Sequence, residues 1–210
     1  MRRFYIILML SCLSVTAVAQ SVAHYFTQMP AELIPSITVD TRKDLIDFYQ
    51  NGKLAVMPAA FGGKVELKTL KDDYLRLQTS ESSDIQIKKI QTNDSLQVLA
   101  VVRTVAGPLR DSRVKFYDTS WKLLKDWVIP TFTVNDFVDV QQAKALGVSD
   151  RLNEIGPRLL VSIHFISNEN AFVANSSLKA DLDQAQSKVL GAVIRDSVVY
   201  RLNNKRFVSE

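Results

Sequence analysis

The sequence predicts a mainly β protein with flanking helices, an α+β fold in which antiparallel hairpin or meander sheets form a sandwich- or barrel-like body behind two short N-terminal helices. Clear helical spacing of apolar residues occurs within the first 50 or so positions. From Val65 onward the apolar residues recur at every second position, and turn residues interrupt them about every ten residues.

Two stretches ahead of the sheet have the helical period. The first runs from Ser21 to Met29, and Pro30 ends it. The second begins at Thr41, where Thr41-Arg42-Lys43-Asp44 resembles a capping box, and Gly52 ends it. Its predicted buried face consists of Leu45, Ile46, Phe48 and Tyr49.

Five short strands then form a predicted antiparallel meander. Turns are expected at Lys71-Asp72-Asp73, at Glu81-Ser82-Ser83 and at Gly107-Pro108. The run from Leu96 to Val102 is nearly continuously apolar, which predicts a strand covered on both faces. The alternating positions of the other strands are Val65, Leu67 and Thr69; Leu75, Leu77 and Thr79; Ile85 and Ile87; and Ser112 to Tyr117.

The segment 131–156 allows two interpretations. Asn135 could cap a helix that passes through Leu146 and stops at Gly147, or Val134, Val138 and Val140 could belong to an extended segment.

A second β region follows. Residues 159–165 alternate, Asn168-Glu169-Asn170 predicts a turn, and a return strand begins at Phe172. Val198, Tyr200 and Leu202 lead into a predicted two-residue hairpin turn at Asn203-Asn204.

The N-terminus predicts a signal peptide over residues 1–19. A basic Met1-Arg2-Arg3 precedes an apolar stretch, and Ala17-Val18-Ala19 supplies the small residues that signal peptidase requires, so cleavage is expected after Ala19. The apolar run is too short and too interrupted to span a membrane. No transmembrane segment is expected in the chain that remains after the signal peptide is removed. The one cysteine, Cys12, lies inside it and fits a lipoprotein signal poorly.

The domain prediction is therefore a signal peptide (1–19) and a single globular domain (20–210). That domain comprises a mostly helical lead-in (20–63), a first β region (64–130), a connecting segment (131–156) and a second β region (157–210). Without a cysteine it has no disulfide and no thiolate site. Loss of Arg2 and Arg3 leaves 24 basic against 22 acidic residues, which disfavours nucleic-acid binding.

Candidate chemistry is sparse, and we predict no catalytic, cofactor-binding or metal-ligating residue. The glycines form no phosphate-binding loop, and Gly62-Gly63 is interpreted as a loop. His24 and His164 are too far apart in sequence for a helical metal motif; His164 is interpreted as a partly buried strand residue and His24 as the flank of a short helix.

Carboxylate pairs and aromatic residues are the remaining candidates. Two carboxylates could serve a glycosidase, and the pairs on offer are Asp72 with Asp73, Asp136 with Asp139, and Asp181 with Asp183. Three aromatic residues cluster near the end of the first β region: Tyr117, Trp121 and Trp127. If exposed, they could stack on a sugar or contact a partner, but such residues more often fill the end of a hydrophobic core, which we call the plug interpretation.

Several short motifs resemble a family of uncharacterised exported proteins from the Bacteroidales, a domain of unknown function. The motifs are Gln28-Met29-Pro30 with Leu33-Ile34-Pro35, Asp44-Leu45-Ile46-Asp47-Phe48, Gly62-Gly63-Lys64, Leu70 with Asp73-Tyr74-Leu75, and Val114-Lys115-Phe116-Tyr117 with Trp121. The resemblance implies a Gram-negative envelope setting and no assigned activity, cofactor or site residue.

We therefore expect a periplasmic, secreted or surface-exposed envelope protein that is non-enzymatic and acts through a partner-binding face. One alternative is a carrier of an apolar or lipid ligand, which needs an apolar cavity of at least ~300 Å³. The other is a carbohydrate-active enzyme, which needs two carboxylates facing one cleft ~5–10 Å apart.

Overall fold

The computed structural model describes residues 20–92 and 96–210. The predicted signal peptide and Cys12 lie outside these residues. Two antiparallel sheets dominate the fold and do not close into a barrel, so of the two arrangements predicted, the sandwich-like one is confirmed.

The first sheet has six strands in sequential order, a pure meander. Its strands are β1 (Val56–Pro58), β2 (Lys64–Leu70), β3 (Tyr74–Ser80), β4 (Ser83–Gln91), β5 (Gln97–Ala106) and β6 (Arg110–Tyr117). The predicted five-strand meander is confirmed as β2 to β6. Strand β1 was missed because it is three residues long and lies within the stretch predicted as mostly helical.

The second sheet has four strands in the order β10-β9-β8-β7. They are β7 (Val161–Phe165), β8 (Ala171–Ser176), β9 (Ser197–Asn203) and β10 (Arg206–Ser209). The β9–β10 turn lies one residue later than predicted: Asn203 pairs with Arg206, and Asn204 and Lys205 carry the positive φ angles of the turn.

Two helices at the N-terminus pack on one face of the six-stranded sheet, which we call the outer face. They are α1 (Val22–Gln28) and α2 (Val39–Gln50). The capping box predicted at Thr41 is wrong, since α2 begins three residues earlier and Thr38 Oγ1 accepts from Thr41 N at 3.1 Å. The buried Arg42 side chain donates to the carbonyls of Phe26, Thr27 and Met29, which satisfies the C-terminal end of α1.

The four-stranded sheet packs on the opposite, inner face of the six-stranded sheet. The result is three layers: helices, six-stranded sheet, four-stranded sheet. Strand β5 lies in the middle layer, with Ala100 and Val102 in the inner core and Leu99 and Val101 in the outer core. Its predicted coverage on both faces is confirmed.

The connecting segment combines the two interpretations of the sequence. A 3-10 helix (Val134–Phe137) capped by Thr133 comes first, Val138 forms an isolated bridge to Ile194, and α3 (Val140–Ala145) follows. The helix expected from Asn135 to Leu146 is therefore wrong in its cap and its continuity. A fourth helix, α4 (Gln184–Leu190), covers the inner core and was not predicted.

The free edge of β7 is bonded by side chains of the six-stranded sheet instead of by another strand. Gln86 Nε2 donates to Ile163 O at 2.9 Å and Gln86 Oε1 accepts from Phe165 N at 3.2 Å. Ser112 Oγ accepts from Ile163 N at 3.0 Å. These bonds dock the edge of one sheet onto the face of the other and satisfy backbone groups that burial would otherwise leave unpaired.

Candidate functional site

The inner face of the six-stranded sheet is covered over only part of its width. Strand register places six residues in one row across the strands: Val56, Glu66, Gln78, Asp84, Thr104 and Ser112. The Thr104–Ser112 end of this row lies under β7, whereas the Val56–Gln78 end borders a surface groove. Among residues 20–92 and 96–210, none forms a covering layer over the inner face of β1 to β3 at this row.

This open groove has a volume of about 770 Å³. It is lined by Leu54, Val56, Lys64, Glu66, Gln78 and the turn at residues 79–82. Its lining mixes apolar surface, both signs of charge, and neutral donors and acceptors, a composition similar to that of protein-binding surfaces.

Two large exposed apolar residues belong to this region: Leu54 lines the open groove, and Phe61 directly precedes the lining residue Gly62. Leu54 is 76% exposed and Phe61, directly before Gly62, is 80% exposed. Exposed apolar residues gathered at a concave surface are typical of interaction sites, because leaving them in water is unfavourable in the free protein.

The loop at the end of the open groove has a defined shape. Gly62 and Gly63 adopt φ angles of +90° and +78°, where a side chain would be strained. Ala59 N donates to Gly63 O at 3.2 Å, and Ala60 N donates to Ser36 O at 2.8 Å, so this loop is tied to the segment ahead of α2. The predicted loop at Gly62-Gly63 is confirmed, and it presents Phe61 outward.

A charged cluster stands at the border between the open groove and the covered half. Asp84 is 5% exposed, and its Oδ2 atom accepts from Arg76 Nη2 at 3.1 Å and from Arg110 Nη2 at 2.5 Å. A cavity of about 150 Å³ beside this cluster shares Gln78 and Ser80 with the open groove. Glu81 lines both cavities as well, so this end of the groove carries two arginines and two carboxylates.

His164 lies on β7 near this charged cluster. It is a strand residue as predicted, although its side chain is more exposed than expected, and its ring centroid is 6.5 Å from that of Tyr74. Desolvation by the surrounding protein lowers the pKa of His164, and the positive charge of Arg76 lowers this pKa further. Both effects favour the neutral imidazole over the imidazolium.

In each pair of carboxylates proposed for a glycosidase, at least one side chain forms hydrogen bonds or ion pairs that stabilise the fold. Asp73 accepts from Lys88 Nζ, from Ser167 Oγ at 3.0 Å and from Asn168 N at 2.8 Å. Asp136 and the N-cap residue Thr133 form the capping box of the 3-10 helix. Asp183 is the N-cap residue in the capping box of α4.

Asp139 caps α3 and pairs with Arg195 at 3.1 Å. Its pKa is lowered, first by the Gln142 amide and then by Arg195. In each of these pairs at least one carboxylate is committed to a cap or an ion pair, and Asp72 and Asp181 are exposed.

The aromatic candidates are buried, which confirms the plug interpretation. Tyr117 and Trp121 lie 5.6 Å apart between ring centroids in the outer core, and Trp127 packs on Phe116 in the inner core. None of the three lines the open groove. His24 sits on α1 with its ring 5.5 Å from that of Tyr25.

Over residues 20–92 and 96–210, no group of three or more histidine, cysteine, aspartate or glutamate side chains is placed to hold a metal ion. In the same part of the chain, no helix has the length and apolarity needed to span a bilayer.

Sequence reasoning missed the residues of the open groove. Leu54 and Phe61 fall between the predicted second helix and the predicted first strand, in a stretch with neither periodicity. The one available signal was an aromatic residue directly before two glycines, which places a bulky side chain on an exposed loop.

Comparison with known proteins places the chain in a family. A family model described as "Protein of unknown function (DUF3256)" matches residues 14–207. The search of curated proteins found no match.

Among solved structures, the chain is similar to the "Structure of a domain of an uncharacterized protein from Porphyromonas gingivalis W83". The TM-score is 0.70 at 24% identity, over 92% of this chain and 99% of that one. This likeness supports the fold. With nearly the whole of its length matched by the family model, the chain belongs to the DUF3256 family of proteins of unknown function.

Proposed function

We propose that this protein is an exported, non-enzymatic binding protein of the bacterial envelope that holds a partner protein in its open groove. The observation that carries the proposal is the uncovered inner face of β1 to β3, which forms a groove of about 770 Å³ beside exposed Leu54 and Phe61. The predicted signal peptide and the resemblance to exported proteins support a periplasmic, secreted or cell-surface location.

The lining of the open groove favours an extended polypeptide segment as its occupant. Glu66, Gln78 and the 79–82 turn supply hydrogen-bonding groups for a peptide backbone, and Leu54 supplies an apolar contact within the groove. Phe61 is exposed directly before the lining residue Gly62, where a longer segment would reach it. Pro58 lacks an N–H on edge strand β1, which disfavours pairing of the partner as a seventh strand. We therefore place the partner on the face of the sheet.

The space between the sheets, where a carrier would hold an apolar ligand, is occupied by aromatic side chains. Phe172 lies 4.9 Å from Phe207, 5.2 Å from Tyr200 and 5.5 Å from Phe165 between ring centroids. This packing, and the commitment of at least one aspartate of each candidate pair to a cap or an ion pair, makes partner binding the function that the geometry supports best.

Site-specific photo-crosslinking in living cells tests the proposal. A photoreactive amino acid at position 61 or 54 should give a defined adduct with one partner protein. The same probe at Val128 (61% exposed) or Leu146 (53% exposed) should not. Replacing Gln78 with Arg in the probe-bearing protein should abolish the adduct. Equal adducts at all four positions, or none at 54 and 61, would refute the proposal.

Export is tested separately. Sequencing of the native protein should give Gln20 as the first residue, recovered from the periplasm or from outside the cell. A native product that begins at Met1 in the cytosol would contradict export without bearing on binding in the groove.

A further inference from the structure

A second surface, on the outer face of the six-stranded sheet, carries an unusual concentration of positive charge. The β5–β6 register places Arg103 directly opposite Arg113 and Val101 directly opposite Lys115. Directly opposed residues have Cβ atoms ~5 Å apart, and Arg113 and Lys115 lie ~7 Å apart along one strand face. Three cationic side chains therefore start from one small area of the sheet.

These cations are exposed and lack acidic partners within ion-pair distance among the described residues. Glu32 and Asp111 are the nearby carboxylates, and neither forms an ion pair with them. Arg103 instead donates to the backbone carbonyl of Leu33. Like charges directly opposite on a sheet are destabilising, so the Arg103–Arg113 pair is expected to lower stability.

The three cations surround a cavity of about 340 Å³. Val101 and the buried Tyr117 ring line its interior, and Glu32, Leu33 and Pro35 form one wall. The lining therefore carries three cations and one carboxylate. The volume lies at the lower end of the range of small-molecule sites. The cavity thus combines an apolar interior with cationic side chains.

We propose that this cavity binds a small organic phosphate, with Arg113 and Lys115 as the principal ligands of the phosphate group and Arg103 beside them. A phosphate dianion offers several oxygens to three cations at once, and the planar fork of arginine donors matches phosphate geometry. The apolar interior accepts the organic part of the ligand. This site lies on the face opposite the open groove and is independent of it.

NMR titration of the purified protein tests the site. Glycerol 3-phosphate should shift the backbone amides of residues 101–105 and 113–117 in a saturable manner, and acetate should bind more weakly because it carries one charge. Arg113→Gln and Lys115→Gln should each weaken binding at least about tenfold. Arg158→Gln removes the same charge from an exposed position elsewhere and should leave the affinity unchanged.

Charge reversal separates a binding role from a structural one. Arg113→Glu should abolish glycerol 3-phosphate binding and raise Tm by about 1 to 4 °C, because it replaces a repulsive cross-strand pair with an attractive one. A fall in Tm with binding retained would overturn the proposal, as would equal losses of binding in Arg113→Gln and Arg158→Gln.

A final comparison identifies the source of the phosphate. Phosphatidylcholine vesicles containing phosphatidic acid should pull down the wild-type protein more than Arg113→Gln if the ligand is a lipid headgroup. Binding to glycerol 3-phosphate with no vesicle binding assigns the site to a free phosphate ester. Binding to neither probe contradicts the proposal.

Discussion

The two halves of the inner face of the six-stranded sheet differ in what lies above them. Across β5 and β6 the inner face presents Ala100, Val102 and Phe116, and the four-stranded sheet covers them. Across β1 to β3 the same face presents Glu66 and Gln78 to the open groove.

Strand β4, between these halves, shows what the difference depends on. Its inner face carries Asp84, Gln86 and Lys88, all of which are buried, and the bonds of Gln86 and Lys88 reach Ile163 O and Ile166 O of the second sheet. Polar residues on a strand are therefore compatible with either half. A buried polar row docks the edge of a second sheet, and an uncovered polar row is available to a partner.

The largest contrast is expected from matched phenylalanine substitutions. Phe172→Ala should lower the free energy of unfolding by about 3–5 kcal/mol, because it opens a cavity in the aromatic cluster of the covered half. Phe61→Ala should change it by less than about 0.5 kcal/mol. Urea denaturation measures both, and a loss above that value in Phe61→Ala would show that the loop is structural and not a free binding surface.

Two glutamines on adjacent strands give the next contrast. Gln86→Leu should cost about 2–4 kcal/mol, since it strips hydrogen bonds from Ile163 O, Phe165 N and Tyr74 Oη in a buried interface. Gln78→Leu should be nearly neutral, because the amide of Gln78 donates to Ser80 O at an exposed site. Similar losses in both variants would mean that the open half is packed as tightly as the covered half.

Lowering the pH should lower the free energy of unfolding, because it protonates Asp73 in the covered half. Burial alone would raise the pKa of Asp73, but hydrogen bonds from Lys88 and the Asn168 amide, together with the charge of Lys88, lower it overall. The unfolded chain then binds this proton more readily than the folded one, so stability present above about pH 4 is lost as the pH falls further. Asp73→Asn should be less stable at neutral pH and should lose less stability between pH 4 and 2 than wild type.

The smallest effect is expected at His164. Because its pKa in the folded protein is lowered, the unfolded state takes up the proton first, and stability falls slightly as the pH drops below about 6.5. His164→Gln should remove this part of the pH dependence. NMR titration of wild type should show the His164 ring protonating below pH 6.5, and a midpoint above that value would contradict the prediction.

Local pattern was sufficient for most of the elements. The two-residue alternation from Val65 predicted β2 to β6 because each of these strands buries at least one face, and the apolar run in β5 reflected coverage on both. Strand β1 failed because three residues are too few to show a period, and Thr38 was overlooked as the cap of α2 because the Thr41 pattern resembled one.

The open groove could not be predicted in the same way. Its residues come from the stretch after α2, from β2 and from the β3–β4 turn, and only the meander brings them together. The cluster of Arg103, Arg113 and Lys115 was not predicted either, because the pairing of Arg103 with Arg113 depends on the exact register of β5 and β6.

Sequence patterns alone were enough to predict the mainly β class, the meander and the two N-terminal helices, and they contain no recognisable catalytic motif. These follow from periodicity and turn chemistry, which act between near neighbours. Which polar strand faces are buried and which remain open could be seen only in the tertiary structure. Burial of Gln86 and Lys88 depends on a second sheet that begins about 70 residues later in the chain, and no local pattern encodes that contact.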